Sequence, residues 1–186
     1  MTPKVVIFLE ELVEDVEFVY PYLRFKEEGF ETFSVAPEMG SYKGKKGCTY
    51  VPDKVFKEIK NQTFDCVYIP GGYAPDRLRR YPELLEFVKR HYGEGKIVGA
   101  VCHGPWVLIS AGIVKGKKVT GFFAIKDDLV NAGAIYTGKD VEVDENLITA
   151  TDPNAMLKQL PLIVEKLKRA RNFLDLKGAK SKFSNL

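Results

Sequence analysis

The sequence predicts an α/β fold in which a parallel sheet is covered by helices on both faces. The main observation is that apolar, strand-like runs alternate with helical patterns along the chain. The length of 186 residues is enough for one domain with a full core. The composition, 45% hydrophobic and 28% charged, is that of an ordinary globular protein. We therefore expect a single domain over residues 1–170 and a basic carboxyl-terminal extension over residues 171–186.

Strands are predicted where short apolar runs lie between glycine, proline and polar residues. Along the chain they cover residues 5–9, 31–36, 65–69, 97–101, 118–122, 134–137, 141–143 and 147–150. The last two flank Asp144-Glu-Asn146 and predict a hairpin. The glycine- and lysine-rich stretch 40–47, together with residues 48–51, predicts a second hairpin or an extension rather than a helix.

Helices are predicted where apolar residues recur at the spacing of one helical face between start and stop signals. They cover residues 14–28, 82–92, 106–111, 125–132 and 155–174. The first stops at Gly29 and contains Pro21, which predicts a kink or a helix start near this residue. His91 is expected at the surface or as a cap at the end of its helix. Residues 178–186 predict a loose end.

Charge, hydropathy and cysteine content argue against several functional classes. The net charge of +3 does not by itself imply a nucleic-acid partner, and no apolar run approaches the roughly 20 residues of a membrane span. The first residues enter a strand directly, without the pattern of a secretory signal. Three scattered cysteines, Cys48, Cys66 and Cys102, argue against a disulfide framework and for a reducing cytoplasm. With two histidines and no Cys-x-x-Cys spacing, we expect no metal site.

Residues 100–105, Ala-Val-Cys-His-Gly-Pro, predict a nucleophile elbow centred on Cys102. An apolar strand ends at the cysteine, the chain turns sharply, and a helix follows, which holds the thiol at the carboxyl edge of a sheet. The free N–H groups and partial positive charge of a helix amino end can lower the pKa of a thiol and stabilise an oxyanion. Cys102 is therefore expected to be a nucleophile rather than a core-filling side chain.

Nearby residues supply the other groups that such a nucleophile needs. The N–H of His103, the first after the nucleophile, is the natural oxyanion donor, and its side chain could act as acid or base. Gly71 and Gly72 end the neighbouring strand, and the Gly72 N–H could be a second donor. Asp76 could orient His103 or cap a helix.

Five acidic residues follow the first strand, at the same edge of the sheet as the elbow. They are Glu10, Glu11, Glu14, Asp15 and Glu17. One of these carboxyl groups, when protonated, could hydrogen-bond the thiolate and shuttle protons. The pattern does not choose among the five, for which solvation and pairing with the helix dipole are the default role.

Together these motifs resemble the PfpI family of the ThiJ/PfpI superfamily, which includes intracellular cysteine proteases and glyoxalase- or deglycase-like proteins related to class I glutamine amidotransferases. The resemblance covers residues 3–170, and it rests on residues 14–17, 69–72, 74–77, 101–105 and 126–133. It implies a flavodoxin-like three-layer α/β/α sandwich with a mostly parallel sheet. It also implies Cys102 as the nucleophile, His103 as the family histidine and Glu14 as the acid that hydrogen-bonds the cysteine.

The resemblance further implies that the N–H groups of Gly72 and His103 bind the oxyanion, next to Gly71 in the substrate site. Asp76 matches an acid that reaches His103 from a neighbouring subunit, so a homodimer building into a hexamer is expected. Trp106 stands where many PfpI-like members carry glutamine, and its ring could narrow the substrate pocket or serve as packing.

Three functions fit this set of residues. The first is a glyoxalase III or deglycase type of enzyme, in which the thiolate adds to a small reactive carbonyl and water releases a 2-hydroxy acid without a cofactor. The second is a cysteine peptidase, in which Cys102 attacks a peptide carbonyl and His103 protonates the leaving amine. The third is a redox-sensing stress or chaperone protein in which Cys102 is oxidised to a sulfinate.

Overall fold

A computed structural model describes the backbone of residues 2–183 and the side chains of residues 2–171. Its strands are β1 (Lys4–Phe8), β2 (Glu31–Ala36), β3 (Tyr42–Lys43), β4 (Thr49–Tyr50), β5 (Lys54–Val55), β6 (Cys66–Ile69), β7 (Ile97–Val101), β8 (Lys118–Val119), β9 (Ile135–Tyr136), β10 (Val141–Asp144) and β11 (Leu147–Ala150). Its α-helices are α1 (Asp15–Glu27), α2 (Phe56–Ile59), α3 (Ala74–Leu78), α4 (Pro82–Gly93), α5 (Pro105–Ser110), α6 (Lys126–Asn131) and α7 (Met156–Phe183).

Seven strands form the central sheet in the order β10-β11-β7-β6-β1-β2-β5. All neighbouring strands are parallel except β10 and β11, which form the predicted antiparallel hairpin. Because β1, β6 and β7 lie side by side and run in the same direction, the loops that follow them meet at one edge of the sheet. The acidic segment, the paired glycines and the elbow therefore lie together.

Both faces of the sheet are buried, as expected for parallel strands whose crossover helices cover each side. Val6 and Phe8 of β1 pack in one core cluster with side chains from α4 and α5. Val5 and Ile7 of the same strand pack in a second cluster with side chains from α1 and α7. Alternate residues of one strand thus enter opposite layers. The arrangement is the predicted three-layer α/β/α sandwich.

Several predicted boundaries differ from the structure. The strands predicted over 118–122 and 134–137 are reduced to β8 and β9, which pair with each other outside the central sheet. Helix α3 was not predicted. Helix α1 continues through Pro21, so a start near this residue is wrong. Helix α7 continues past residue 174, so residues 178–183, predicted as a loose end, are helical. Residues 184–186 of the predicted basic extension lie outside the described residues.

His91 is fully buried, so the prediction of a surface or capping role is wrong. Its Nδ1 lies 2.7 Å from the Phe87 carbonyl oxygen, and its Nε2 accepts the Phe64 N–H at 3.0 Å. Burial lowers the pKa of this imidazole, which stays neutral and holds the loop before β6 against α4. Positions 84, 87 and 91 share one face of the helix, so the apolar spacing already placed His91 inward.

A buried polar network ties α7 to the strand that carries the elbow. The Tyr68 hydroxyl donates to Gln159 Oε1 at 2.9 Å. Gln159 Nε2 donates to the carbonyl oxygens of Ala100 in β7 and Ile148 in β11, both at 2.9 Å. Gly99 leaves room for this network, because a Cβ there would lie 2.8 Å from the Tyr68 ring. The network fixes the end of β7 two residues before Cys102.

Substitutions in this network test its contribution to stability. Changing Gln159 to leucine orphans the Tyr68 hydroxyl and removes a donor from two carbonyls, so we expect a loss of about 2 to 4 kcal/mol in the free energy of unfolding. Tyr68→Phe leaves one amide oxygen unpaired and should lose about 1 to 2 kcal/mol. Urea denaturation measures both changes. Tyr73→Phe, at a residue that is 59% exposed, is the control and should change stability little. Equal losses in all three variants would contradict the assignment.

Candidate active site

Cys102 adopts the backbone conformation of a nucleophile elbow. Its φ of +58° lies in the left-handed region, which is unfavourable for a residue with a Cβ. The turn is held by a hydrogen bond from the Cys102 N–H to the Ala150 carbonyl at 3.0 Å and one from the Gly104 N–H to the Val101 carbonyl at 2.7 Å. A Cβ at Gly104 would lie 2.5 Å from the Ile69 carbonyl oxygen, so the tight turn requires glycine.

Glu17 lies in the first turn of α1 and is fully buried beside this elbow. Its Oε2 accepts the Gly71 N–H at 2.8 Å. Its Oε1 is buried with no conventional hydrogen-bond partner among the described residues, and the carboxyl interacts with the Cys102 thiol. A Cβ at Gly71 would lie 2.5 Å from Glu17 Oε2 and 2.7 Å from the Cys102 Cβ. Glycine at position 71 therefore allows the carboxyl and the cysteine to approach from two sides.

The assignment of Glu14 as the acid beside the cysteine is therefore wrong, and Glu17 takes this place. Glu14 precedes α1 with an extended backbone, and its Oε2 lies 3.1 Å from Lys45 Nζ. Helical side chains lean toward the amino end of their helix, so Glu17, one turn inside, extends back over the first turn to reach Gly71. The side chains of Glu14 and Glu17 therefore point in different directions, and the residue type alone does not reveal this difference.

Burial raises the pKa of both Glu17 and Cys102. The pKa of Glu17 is raised from 4.5 to about 7, first by burial, with the Gly71 N–H acting in the opposite direction. The pKa of the Cys102 thiol is raised to about 12, first by burial and then by the charge of Glu17. When Glu17 holds a proton its repulsion of a thiolate disappears, and its O–H can donate to the sulfur. Glu17 and Cys102 are thus coupled, and protonated Glu17 favours the thiolate.

The predicted oxyanion donors both face the sulfur. The backbone N–H groups of Gly72 and His103 interact with Cys102 and lower the pKa of its thiol, opposing the effect of burial. Gly72 has a φ of +75°, and a Cβ there would lie 2.4 Å from the Glu14 nitrogen. The N–H of Gly71 is used by Glu17, so Gly71 does not serve as an oxyanion donor.

The imidazole of His103 also contacts the nucleophile, with Nδ1 3.2 Å from Cys102 Sγ. Its ring stacks on Phe122 with centroids 5.2 Å apart and meets the edge of Trp106 at 5.0 Å. Trp106 is itself fixed because its Nε1 donates to Asp128 Oδ2 at 2.8 Å. Burial, followed by the positive charge of Lys45, lowers the pKa of His103. A neutral imidazole is thus held against the sulfur by aromatic packing.

Asp76 does not orient His103 within this chain. It lies inside α3 and forms an ion pair with Arg80, and its side chain is 48% exposed. No hydrogen bond links it to His103 in the described part of the chain. Asp76 is therefore wrong as the carboxylate that orients His103 within this chain, and a role toward a second copy stays a prediction.

Two residues of the site were not identified from the sequence. Lys45 was given no role there, and Glu17 was one of five acids among which the pattern did not choose. The charge of Lys45 acts on both Cys102 and His103. Its position depends on Gly44, where a Cβ would lie 2.1 Å from Asp15 Oδ1. The glycine-lysine pattern of residues 40–47 was the available signal.

Comparison with known proteins identifies the family. The DJ-1/PfpI family matches residues 3–166, and this chain belongs to it. The chain is 40% identical over 155 residues to Deglycase PfpI of Pyrococcus furiosus, covering 83% of this chain and 93% of that protein. It is 36% identical over 155 residues to the Putative cysteine protease YraA of Bacillus subtilis, covering 83% and 92%.

A solved structure shows the same fold. It is a two-domain protein of Anabaena variabilis with DJ-1/ThiJ/PfpI-like and ferritin-like domains, which matches with a TM-score of 0.86 and 42% identity. The match covers 90% of this chain but 48% of that longer protein. Within the residues described here, no helix is long and apolar enough to cross a membrane, and no group of three or more His, Cys, Asp or Glu side chains is placed to hold a metal ion.

The buried carboxyl of Glu17 predicts a specific pH dependence of stability. Because its pKa is raised from 4.5 to about 7 on folding, its stabilising contribution is complete below pH 4.5 and is lost as the pH rises through 7. The loss corresponds to about 3 kcal/mol. Glu17→Gln keeps an acceptor for the Gly71 N–H and cannot ionise, so its stability relative to the unchanged protein should increase by about 2 to 3 kcal/mol between pH 5 and pH 8.

Urea denaturation at a series of pH values measures this difference. The control is Glu86→Gln, at a side chain that is 75% exposed, and its difference from the unchanged protein should stay constant across the series. A constant difference for Glu17→Gln as well would show that the carboxyl is not the group that titrates.

Proposed function

We propose that this protein is a cysteine-dependent enzyme that acts on small reactive carbonyl compounds. Its substrates would be 2-oxoaldehydes, either free or as adducts of amino groups, and its product a 2-hydroxy acid, as in glyoxalase III and deglycase reactions. The observation that supports this most directly is the buried Glu17 carboxyl beside Cys102, with a pKa of about 7 that lets it hold or release a proton at neutral pH. The relative named as a deglycase favours the same chemistry.

The first step would form a covalent hemithioacetal. Glu17 takes the proton of the Cys102 thiol, and the sulfur forms a bond to the aldehyde carbon. The electron pair of the C=O bond moves to the oxygen, where the N–H groups of Gly72 and His103 are aimed. The proton on Glu17 then passes to this oxygen.

The second step would move a proton between adjacent carbons. Glu17, a carboxylate again, or the neutral imidazole of His103 removes the proton from the former aldehyde carbon, giving an enediolate whose hydroxyl proton moves to the neighbouring oxygen. Return of the proton to the neighbouring carbon leaves a thioester of the 2-hydroxy acid. Water then attacks the thioester carbonyl, breaks the C–S bond and restores the thiol. No step requires an oxidant, a reductant or a metal.

An adduct of an amine would enter the same sequence. The sulfur replaces the nitrogen at the carbon that carries the hydroxyl group, and the leaving amine takes up a proton. The result is the same hemithioacetal, so one set of residues serves both substrates. The neutral imidazole of His103, with Nδ1 3.2 Å from the sulfur, is placed to take the thiol proton and pass it to the leaving nitrogen.

A peptidase is the second candidate, and the contact between Cys102 and His103 is the observation that favours it. A relative is named as a putative cysteine protease. Against it, no carboxylate orients the imidazole among the described residues of this subunit. The third candidate, a redox-sensing role, uses the same cysteine and is an outcome of the experiment below.

Product formation from methylglyoxal tests the proposal. The unchanged protein should release lactate, Cys102→Ser should lose activity by about 10³-fold or more, and Glu17→Gln by about 10²-fold or more. Cys48→Ser changes an exposed thiol and should retain activity. The parallel assay uses a denatured protein and measures peptide release.

Lactate formation that survives in Cys102→Ser would overturn the proposal. Peptide release without lactate would favour the peptidase. Oxidation of Cys102 by dilute peroxide, seen by mass spectrometry in a protein with neither activity, would favour the redox role.

We also propose that the protein forms a homodimer or hexamer in which Asp76 lies near a subunit interface. Asp76 is exposed at the same sheet edge as the site, so a second copy can approach it. Light scattering should give a mass of two or six times 21.0 kDa. Asp76→Asn should change the pH profile of Cys102 alkylation in the oligomer; a monomer in the unchanged protein, or an unaltered profile in the variant, would contradict this.

A further inference from the structure

We propose that Lys45 is a specificity-determining residue that binds a negatively charged group on the substrate. The site would then favour carbonyl adducts that carry a carboxylate a few bonds from the attacked carbon, such as an adduct of a free amino acid, over uncharged carbonyls. The substrate class rests on the proposed function, whereas the binding of an anion beside Cys102 does not.

The backbone places Lys45 at the same wall of the site as the oxyanion donor Gly72. Val13 forms an antiparallel bridge to Gly72 on one side and a parallel bridge to Gly44 on the other. The Lys45 N–H donates to the Val13 carbonyl at 2.8 Å, and the Glu14 N–H donates to the Gly71 carbonyl at 3.3 Å. The turn that carries Lys45 and the loop that carries Gly72 are therefore both hydrogen-bonded to residues 12–14.

The turn is held in place by a largely buried carboxylate. Asp15 accepts the Lys46 N–H at 2.6 Å and the Tyr50 hydroxyl at 2.9 Å, and it lies against Gly44, where a side chain would collide with it. The Gly44 N–H donates to the Cys48 carbonyl at 2.8 Å. A lysine on a loop with this many attachments loses little further backbone entropy when a ligand binds.

The ammonium group of Lys45 has donor capacity beyond its partner in the chain. One carboxyl oxygen of Glu14 lies 3.1 Å from Nζ, and the ammonium sits 5.6 Å from the centre of the Tyr73 ring. An ammonium has three donors, and the Lys45 side chain is 40% exposed, so a ligand can reach it. Its charge acts on Cys102 and His103, which places the cation within electrostatic range of the attacking sulfur.

The charges around Lys45 predict how substitutions at Glu14 and Lys45 should change the preference for an anion. Glu14 is ion-paired with Lys45 and weakens its attraction for a second anion. Removal of the Glu14 charge should therefore strengthen anion binding, whereas removal of the Lys45 charge should abolish it. Arg79 lies over the ring of Trp106, 5.7 Å from its centre, and does not take part in this pair.

Alkylation of Cys102 measures this preference without catalysis. Iodoacetate and iodoacetamide react with a thiolate by the same displacement of iodide and differ in charge. The ratio of their rates at Cys102 therefore cancels the thiolate fraction and reports the local field. The full chain carrying Cys48→Ser is used, and mass spectrometry confirms that Cys102 is the modified residue.

We expect Lys45→Met to lower the rate ratio of iodoacetate to iodoacetamide by about tenfold, and Glu14→Gln to raise it several-fold. Lys45→Arg should retain most of the ratio. Lys46→Met, at an exposed neighbouring lysine, is the matched control and should leave it unchanged. A ratio that is the same in Lys45→Met and in the unchanged protein, with both folded by circular dichroism, would overturn the inference.

Turnover separates this inference from the proposed function. Methylglyoxal adducts of alanine, which keeps its carboxylate, and of uncharged alaninamide form a matched pair of substrates, and Lys45→Met should lower kcat/KM about tenfold for the first and less than threefold for the second. If the alkylation ratio depends on Lys45 but neither adduct is turned over, anion binding stands and the proposed function fails. If both adducts are turned over, and neither the alkylation ratio nor the preference in kcat/KM depends on Lys45, the role of Lys45 is overturned and the proposed function stands.

Discussion

The contact of the Glu17 carboxyl and the Cys102 side chain across Gly71 is the feature on which the site depends. The carboxyl lies on the first turn of α1, the glycine follows β6, and the cysteine follows β7. These elements meet only because β6 and β7 are neighbours and because Gly71 has no side chain to separate the two groups. The left-handed backbone of Cys102 is unfavourable by about 1 to 2 kcal/mol, and the sheet bonds around it hold the chain in this conformation.

The scaffold supports this contact from beneath. Gln159 and Tyr68 hydrogen-bond each other in the core, and Gln159 fixes the strand end that presents the elbow. The aromatic side chains of Trp106 and Phe122 hold the imidazole against the sulfur from above. The reactive groups are therefore positioned before any ligand binds, which is the condition under which fixed N–H groups stabilise a developing charge.

Burial raises the pKa of both Glu17 and Cys102, so it lets Glu17 hold a proton near neutral pH but disfavours the thiolate. The buried carboxyl of Glu17 and the half-buried thiol of Cys102 cannot both be charged at low free energy, so one proton is shared between them. The two amides and the cation of Lys45 favour negative charge on the sulfur side, and burial opposes it. In the proposed reaction, addition of a carbonyl compound would remove the charge of the sulfur and place the new oxyanion next to the N–H groups of Gly72 and His103.

The pattern of apolar residues was sufficient to predict the alternation of strands and helices and the two-sided burial of the sheet. The order of strand, cysteine, turn and helix around residues 100–105 was sufficient to predict the elbow at Cys102. These features depend on local spacing along the chain. The lengths of β8 and β9 were not predictable in this way, because their pairing lies outside the central sheet. The residue type of His91 and its place near a helix end predict an exposed side chain, whereas its position on the apolar face of that helix buries it.

Residue types near the site were predictable, whereas their partners were not. Five acids in eight positions are equivalent in sequence, and Glu17 is distinguished from Glu14 only by the direction in which the first turn of α1 points its side chains. Lys45 enters the site through hydrogen bonds between segments that are some 30 residues apart, such as that from Lys46 to Asp15. Local pattern thus set the fold and the nucleophile, while the packing of distant loops selected the acid and the cation, because contacts between distant segments leave no periodic signal in the chain.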